Sequence, residues 1–249
     1  MLERLDNKYI VSHAILDQAA PAFAEVFDVL EIDGLRAFTY DTCYFDDHKR
    51  QSYFDHHQGR RRRCKVRVRK YSDAGLCFVE IKLKDKRGVT VKRRMSYDSD
   101  LFRVLDNAAM DHINASHQGL YGEAFPLDLC PIIEMRYRRM TLVAREGGER
   151  MTIDSDIEFR SGSMLRKVSK DMVIVETKSA RGNGLADKVL RACHLHPVPG
   201  CSKYCIGMAA LEKVNRMNHF LPALRMLGMV PGQGVVLGQA QAAVMLAAA

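Results

Sequence analysis

Alternating apolar and charged positions predict a series of β-strands. In the clearest case Lys65, Arg67 and Arg69 share one parity, and Val66 and Val68 share the other. Because successive side chains of a strand point to opposite faces, this segment predicts one cationic face and one apolar face. Taken alone, the pattern is also typical of a strand whose charged face simply lies in water.

The same alternation recurs along the chain. Glu80 and Lys82 oppose Val79 and Ile81 in the segment LCFVEIKLK. Other predicted strands are ERLDNKYIV, AFTYDTCYFD, GVTVKRRM, IIEMRYRRMTLVA, RMTIDSDIEF and MVIVETKS. Two of them, IIEMRYRRMTLVA and RMTIDSDIEF, are expected to form a hairpin around Gly147-Gly148.

Helices are predicted between these strands, at residues 13–30, 98–116, 184–194 and 203–220. Amphipathic helices can cover the apolar strand faces from outside. We therefore expect an α+β fold: a closed antiparallel β-barrel with a charged bore, surrounded by helices. Cations in such a bore repel each other unless an anion or acidic residues neutralise them, so the bore should hold a polyanion.

Composition supports a protein that binds anions. The 249 residues are 47% hydrophobic and 27% charged, which suits a globular domain with a proper core. The net charge of +8 predicts nucleic acid, phosphates or a membrane surface as partner. Nucleic acid is not expected, because base-stacking aromatic residues are not interleaved with the cations.

The cysteines and the N-terminus favour a cytoplasmic location. Seven cysteines, an odd number, and a charged start without a secretory leader are typical of reduced thiols in the cytosol. One cluster superficially resembles a zinc site but lacks a CxxC pair, so no metal is expected there. Its members are Cys193, His194, His196, Cys201 and Cys205.

The chain is expected to divide into a domain at 1–222 and a flexible or helical tail at 223–249. No apolar run is long and clean enough to span a bilayer. The nearest, GVVLGQAQAAVMLAAA, is interrupted by Gln239 and Gln241.

Taken in order, these segments resemble the vacuolar transporter chaperone (VTC) domain, within the CYTH-like triphosphate tunnel metalloenzymes. The resemblance covers about residues 3–210 and depends on the order of the segments rather than on one motif. The segments are DNKYIV, YFDDHKRQSYFDHHQGRRRRCKVRVRKY, FVEIKLK, VTVKRRM, RYRRMTL, ERMTIDSDIEF, VIVETK and CSKYCIGM.

The resemblance implies a tunnel in which basic side chains hold the triphosphate of a nucleotide and a divalent cation bridges the phosphates. By position, it assigns phosphate contacts to Lys8, Arg67, Arg69, Lys82, Lys92, Arg139, Arg150 and Lys203. Within this set, nucleotide binding is expected of Arg67, Arg69, Lys82 and Lys203. It assigns Mn²⁺ or Mg²⁺ binding to Glu176. These residue types suit phosphoryl transfer, which needs charge neutralisation and positioning more than a covalent catalyst.

Several assignments have alternatives. In the segment RYRR the alternation does not decide whether Arg138 or Arg139 faces the tunnel. Glu80 either assists the metal or balances Lys82, and each basic residue has an alternative as an exposed strand or surface residue. The basic run 60–63 is a solvated turn or an entry patch for polyphosphate.

The first strand departs from the hydrolytic members of the superfamily, which carry an E-x-E-x-K signature. Here Arg4 occupies the first acidic position, while Asp6 remains a possible second metal contact and Lys8 closes the signature. Loss of one carboxylate favours a polymerase, which transfers the γ-phosphoryl group of ATP to a growing inorganic polyphosphate chain. The alternatives are a metal-dependent tripolyphosphatase or nucleoside triphosphatase, and a non-catalytic polyphosphate binder. Eukaryotic members of the family work beside membrane-spanning segments, so coupled export would need a separate membrane partner.

Overall fold

The computed structural model describes residues 5–85 and 87–232. The strands are β1 Leu5–Ser12, β2 Phe27–Val29, β3 Ala37–Asp46, β4 Arg63–Tyr71, β5 Leu76–Lys84, β6 Thr90–Ser96, β7 Cys130–Ala144, β8 Arg150–Ser161, β9 Met164–Lys167 and β10 Met172–Ser179. The helices are α1 His13–Val26, α2 Gln51–His57, α3 Asn107–Tyr121, α4 Leu185–Ala192, α5 Lys203–Ala210 and α6 Leu221–Met226. Single 3₁₀ turns occupy Ser72–Ala74, Ser99–Leu101 and Asn218–Phe220.

The ten strands form one antiparallel sheet, as the sequence predicts, in the order β1-β10-β8-β7-β3-β4-β5-β6. Strand β2 adds to β7, and β9 adds to β8. Closure into a barrel is not confirmed, because no hydrogen-bonded ladder joins β1 to β6 within the described part of the chain. Strand β6 carries Lys92, Arg93 and Arg94, and charged side chains of this kind are typical of an unpaired edge strand.

Strand positions follow the predicted alternation closely. The segments AFTYDTCYFD, LCFVEIKLK and MVIVETKS form β3, β5 and β10 over their whole lengths. The expected hairpin joins β7 to β8, and Gly147 and Gly148 both have positive φ there. Glycine adopts that backbone conformation without the steric cost that a side chain would add.

Helix boundaries differ from the predictions where local capping or strand pairing decides them. Helix α1 stops at Val26, because Phe27 turns extended and pairs with β7. Asp98 caps only a 3₁₀ turn, and α3 begins later, where the Asp106 side chain accepts a hydrogen bond from the Ala109 amide. The helix predicted at 203–220 ends at Ala210, and Glu212 has a positive φ of 55°.

Helix α2 was not predicted from the hydrophobic pattern. The buried Asp46 carboxylate accepts hydrogen bonds from the amides of Ser52 and Tyr53, and Asp47 accepts one from the Gln51 amide. Acceptors at the start of a helix satisfy its free amides, so the pair Asp46-Asp47 was the available sequence signal.

Two helical layers cover the outer face of the sheet. Helices α1 and α4 pack on β1, β10 and the neighbouring part of β7 and β8, where the shared core includes Val11, Phe23, Val175 and Leu190. Helix α3 packs on β5 and β6, and the second core that it forms also includes residues of β4. The opposite face, which carries Lys8, Arg67 and Asp154, is called the inner face below.

A third core fills one end of the inner face. Helices α2, α5 and α6 lie there, and Tyr204, Ile206 and Met208 of α5 are buried against β7 and its neighbours. The division into 1–222 and 223–249 stays a prediction, since 233–249 lie outside the described residues. Leu224 and Leu227, however, are buried in this inner core. Among the described helices, none has the length and apolarity needed to cross a bilayer.

The approach of α5 to the sheet gives a stability prediction. A Cβ atom on Gly207 would lie 2.5 Å from Phe159 Cδ1 and 2.9 Å from Ile133 Cδ1. Gly207→Ala should therefore lower the free energy of unfolding by about 1–3 kcal/mol through overpacking. Gly119→Ala is the matched control on α3, where nothing lies within 4 Å, and it should raise that free energy by about 0.5–1 kcal/mol. Urea unfolding measures both, and equal effects would contradict the packing argument.

Candidate active site

Strand register brings most of the predicted site residues onto the inner face. Lys8 on β1 pairs with Glu176 on β10, and Arg67 on β4 pairs with Glu80 on β5. Partners directly opposite in an antiparallel ladder point to the same side of the sheet. The predicted residues on this face are Lys8, Arg67, Arg69, Lys82, Lys92, Arg139 and Glu176, and α5 adds Lys203.

Glu80 anchors one group of cations. Its Oε2 accepts hydrogen bonds from Arg67 Nε at 2.7 Å and Nη2 at 2.6 Å, and Lys92 contacts Oε1. Burial by itself would raise the pKa of Glu80, but the charges of Arg67, Arg69 and Lys92 outweigh burial and lower it to about 2. Glu80 is therefore a charged partner of Arg67 and Lys92 in this structure, rather than a free carboxylate for a metal.

Asp154 anchors a second group. Arg139 donates from Nε and Nη2 to its two oxygens, at 2.6 and 2.8 Å, and Lys203 contacts Oδ2. Asp154 is fully buried, and burial would raise its pKa, but Arg139 and Lys203 hold the pKa below its usual value. Arg138 is exposed. The structure thus places Arg139, and not Arg138, on the inner face.

A β-bulge in β8 makes this arrangement possible. The register with β7 shifts between Arg136 and Arg138, and Asp156 has a positive φ of 50°. A bulge adds one residue and changes which side chains share a face. Asp154 therefore points inward beside Arg139, while Ile157 and Phe159 beyond the bulge also turn inward and join the inner core.

Glu176 lies among cations at the other side of the inner face. Lys178 contacts its carboxylate and also reaches Asp6 Oδ2 at 3.1 Å. Burial would raise the pKa of Glu176, but Lys8, Lys178 and Arg139 outweigh it and hold the pKa well below its ordinary value. Glu176 therefore stays ionised, and within residues 5–85 and 87–232 Lys178 is the one residue that forms an ion pair with it.

Lys82 shows how strongly the sheet curves. Its pKa falls to about 7, first through burial and then through the charge of Lys8, although these residues lie on β5 and β1 near opposite ends of the strand order. Glu176 and Asp6 also act on Lys82. The two ends of the sheet therefore approach each other across the inner face. Protein groups surround the Lys82 amine and desolvate it, although the side chain keeps enough accessible surface for solvent or a ligand to reach it.

Two of the remaining predicted residues differ in their surroundings. Arg69 is 5% exposed, donates to Thr42 Oγ1 at 3.2 Å and faces the Tyr40 and Tyr137 rings. Arg150, the first residue of β8, is exposed at the end of the strand and is not brought into the ion-pair groups.

Sequence reasoning missed several residues that build the site. Asp154, Lys65 and Lys178 all lie on the inner face, and Lys65 donates to Ser202 Oγ at 2.8 Å. The available signal was strand alternation: Asp154 shares the parity of Arg150, Lys65 that of Arg67, and Lys178 that of Glu176.

On the outer side, Asp187 joins β1 to α4, because its carboxylate accepts hydrogen bonds from the Tyr9 hydroxyl at 2.6 Å and the Gly184 amide at 3.0 Å.

A divalent cation would find few protein ligands here. Within residues 5–85 and 87–232, no set of three or more His, Cys, Asp or Glu side chains is arranged to hold a metal ion. Mg²⁺ commonly uses one or two carboxylates and takes its other ligands from water and substrate phosphates. Glu176, with Asp6 nearby, fits that mode, because the phosphates themselves would complete the coordination.

The inner face therefore suits a chain of phosphates. Guanidinium groups give planar bidentate contacts to phosphate, and ammonium groups give compact charge. Glu80 and Asp154 fix the orientation of Arg67 and Arg139 without neutralising all the cations around them.

Removing the Asp154 carboxylate should expose its role. Asp154→Asn leaves Arg139 and Lys203 without their buried counter-charge, and should lower the free energy of unfolding by about 3–5 kcal/mol. Saturating tripolyphosphate should recover part of this loss, since phosphate oxygens can take the place of the carboxylate. Urea unfolding with and without tripolyphosphate tests this. Asp156→Asn is the control, exposed and in a conformation that Asn tolerates, and should change stability by less than about 0.5 kcal/mol.

Lys82 gives a prediction about protons. With a pKa near 7, its amine is mostly neutral at pH 8, and bound phosphate should recharge it. Tripolyphosphate binding at pH 8 should therefore take up about one proton more in the unmodified protein than in Lys82→Arg, whose side chain is always charged. Calorimetry in two buffers of different ionisation enthalpy measures the difference, and equal proton uptake would refute it.

The same shift has a defined effect on stability. The folded pKa lies below the unfolded value of 10.5, so the unfolded chain binds more protons between about pH 7 and that value. The contribution of Lys82 to the free energy of unfolding should rise with pH across this window. In Lys82→Arg, this rise of the free energy of unfolding with pH should be absent.

Comparison with known proteins gives one family match and several solved structures of low similarity. A model of the VTC domain matches residues 3–212. No curated protein matches the chain. Among solved structures, PH1819 from Pyrococcus horikoshii OT3 has 12% identity and a TM-score of 0.47, covering 85% of this chain and 99% of that chain. HpAC1 from Hippeastrum, described as a putative adenylyl cyclase with a dominant triphosphatase activity, has 15% identity and a TM-score of 0.49, covering 87% and 99%.

A third solved structure is the Pct1 RNA triphosphatase of S. pombe, with 11% identity and a TM-score of 0.31, covering 90% of this chain and 76% of that chain. The TM-scores of all three structures are low, so the assignment depends on the domain match. That match spans most of the sequence and includes every strand of the inner face. The chain belongs to the VTC-domain family.

Proposed function

We propose that this protein is a polyphosphate polymerase, which transfers the γ-phosphoryl group of ATP to a growing inorganic polyphosphate chain. The observation that carries the proposal is the inner face of a VTC-family sheet, where cations converge around an ionised Glu176. The polyanion supplies the negative charge that Glu80 and Asp154 provide only in part.

Binding of the phosphates falls to the basic side chains. Arg67 and Arg139 are already oriented by Glu80 and Asp154, so little side-chain freedom is lost when phosphate arrives. Lys8, Lys82 and Lys203 add compact charge from three other directions. Arg69, Lys92 and Arg150 complete the proposed set, with Arg150 acting at the exposed end of β8.

The reaction needs no covalent intermediate on the protein. A terminal phosphate oxygen of the chain attacks the γ-phosphorus of ATP, the bond to the β-γ bridging oxygen breaks, and ADP leaves. The polyphosphate is then one phosphate longer. The basic residues hold the two phosphate chains in line and stabilise the charge that moves to the leaving group. Bound Mn²⁺ or Mg²⁺ would neutralise phosphate charge beside Glu176.

Hydrolysis is the second candidate function on this fold. A hydrolase needs carboxylates free to activate water, whereas the inner face offers Glu176 and Asp6, both contacted by Lys178. Arg4, which replaces the first acidic residue of the hydrolytic signature, lies outside the described residues. This arrangement favours transfer to a phosphate chain over transfer to water.

The proposal also covers closure of the sheet, the location of the protein and its partners. A bound polyanion would reduce the repulsion between Lys8 and Lys82. Because these residues lie near opposite ends of the strand order, the sheet would then close into a barrel between β1 and β6. A cytoplasmic location, a separate membrane partner for any coupled export, and the absence of nucleic-acid binding stay predictions.

The test follows two products at once. Purified protein with ATP and Mn²⁺ should form long-chain polyphosphate and ADP together, and Glu176→Ala should reduce both by at least about 100-fold if it removes the metal ligand. Glu25→Ala, an exposed position on α1, is the matched control and should keep full activity.

Each other outcome has a distinct meaning. Free phosphate without polymer would replace the polymerase with a triphosphatase. Polyphosphate binding that survives Glu176→Ala, with neither product formed, would leave a binder. Repeating the assay with Mg²⁺ identifies the preferred cation.

A further inference from the structure

One buried carboxylate on the outer side of the sheet is tied to both β1 and β10. Asp187 on α4 is fully buried, and four neutral groups donate hydrogen bonds to it. The donors are the Tyr9 hydroxyl at 2.6 Å, the Thr177 hydroxyl at 2.8 Å, the Asn7 side-chain amide at 2.9 Å and the Gly184 backbone amide at 3.0 Å. Burial by itself would raise the pKa of Asp187, but these hydrogen bonds outweigh burial and hold the pKa below its usual value.

On β1 the two residues that Asp187 holds lie on either side of Lys8. Asn7 and Tyr9 face outward, and Lys8 between them faces inward. Strand β1 needs this support, because in the described part of the chain β10 is its only partner strand. The hydrogen bonds to Asp187 therefore fix the position of Lys8 from behind.

On β10 the residue that Asp187 holds lies between the proposed cation ligand and a lysine. Thr177 faces outward, while Glu176 and Lys178 face inward. In the ladder between β1 and β10, Lys8 lies opposite Glu176, and Asp6 lies opposite Lys178. Asp6, Lys8, Glu176 and Lys178 are called the Glu176 corner below. Each of the four is next in sequence to a residue whose side chain donates to the buried carboxylate.

We propose that Asp187 is a positioning residue for the Glu176 corner: by holding β1 and β10 from the outer face, it keeps Lys8 beside Glu176. The assignment rests on the proposed function, because it requires a cation and a phosphate chain on the inner face. It also explains a charged side chain in an otherwise apolar layer. A carboxylate has two oxygens that both accept, so it can receive several donors at once, whereas an amide of the same size has one accepting oxygen.

Replacing the carboxylate should change tripolyphosphate binding in a direction that separates positioning from charge. By charge alone, Asp187→Asn removes a negative charge and should strengthen the binding of a polyanion. If the Glu176 corner depends on Asp187, the variant should instead bind tripolyphosphate with Mn²⁺ about tenfold more weakly. Isothermal titration calorimetry, at a temperature where the variant is folded, measures this affinity.

The spectrum of bound Mn²⁺ gives a second measurement. In the unmodified protein, electron paramagnetic resonance should show a Mn²⁺–tripolyphosphate complex whose spectrum is altered by Glu176. In Asp187→Asn the spectrum should move toward that of Mn²⁺–tripolyphosphate in solution. Thr177→Val keeps the charge of the carboxylate and removes one hydrogen bond, so it should move the spectrum in the same direction by a smaller amount.

Leu190→Ala is the matched control. Leu190 is fully buried on the same helix and in the same core, but its side chain makes no hydrogen bond. The variant weakens the packing of α4 on the sheet and should lower the melting temperature. Its tripolyphosphate affinity should stay within about twofold of the unmodified protein, and the Mn²⁺ spectrum should be unchanged.

The outcomes separate this inference from the proposed function. If the unmodified protein does not bind tripolyphosphate, the phosphate site itself is wrong and the role of Asp187 falls with it. If the unmodified protein binds and Asp187→Asn binds as tightly or more tightly, only the positioning role is wrong. Equal losses in Asp187→Asn and Leu190→Ala would also overturn it, because α4 would then act through packing alone. If Asp187→Asn does not fold, Thr177→Val decides, and an unchanged affinity and spectrum in that variant would refute the role.

Discussion

Repulsion among cations on one face of a curved sheet is the constraint on which the rest of this structure depends. The effect of this repulsion is clearest at Lys82, where burial and the nearby charge of Lys8 lower the pKa to about 7. Two buried carboxylates, Glu80 and Asp154, offset the repulsion locally by pairing with Arg67 and Arg139. Two carboxylates are too few to neutralise all the cations of the inner face, so this face keeps a net positive charge.

The outer layers keep this charged surface in register. Tyr9 lies on the outer side of β1, next to Lys8, and donates to Asp187 at the start of α4; Thr177, next to Glu176 on β10, donates to the same carboxylate at 2.8 Å. Buried, fully paired networks of this kind rigidify a structure. A residue remote from the phosphates thus fixes the spacing between the proposed metal ligand and its neighbouring lysine.

Much of the fold followed from the sequence because strand periodicity is local. An alternation of two residues sets which side chains share a face, and this placed Arg67, Glu80 and Glu176 correctly with respect to their neighbours. The phase of RYRR was different: it depends on how β7 pairs with β3 and β8, which sequence spacing does not report. Helix ends were missed for a related reason, since caps such as Asp106 compete with others nearby. Closure of the sheet depends on contacts between its distant edges.

The partners of buried groups were the hardest feature to predict, and they carry the functional argument. Parity suggests that Asp154 faces inward, but only tertiary structure shows that Arg139 and Lys203 both engage its carboxylate. The difference matters chemically. A site whose cations were all paired with carboxylates would bind a polyanion poorly, because every phosphate would have to displace an ion pair. Leaving cations in excess makes the ligand-free protein less stable, and the proposed binding of phosphate would recover that stability.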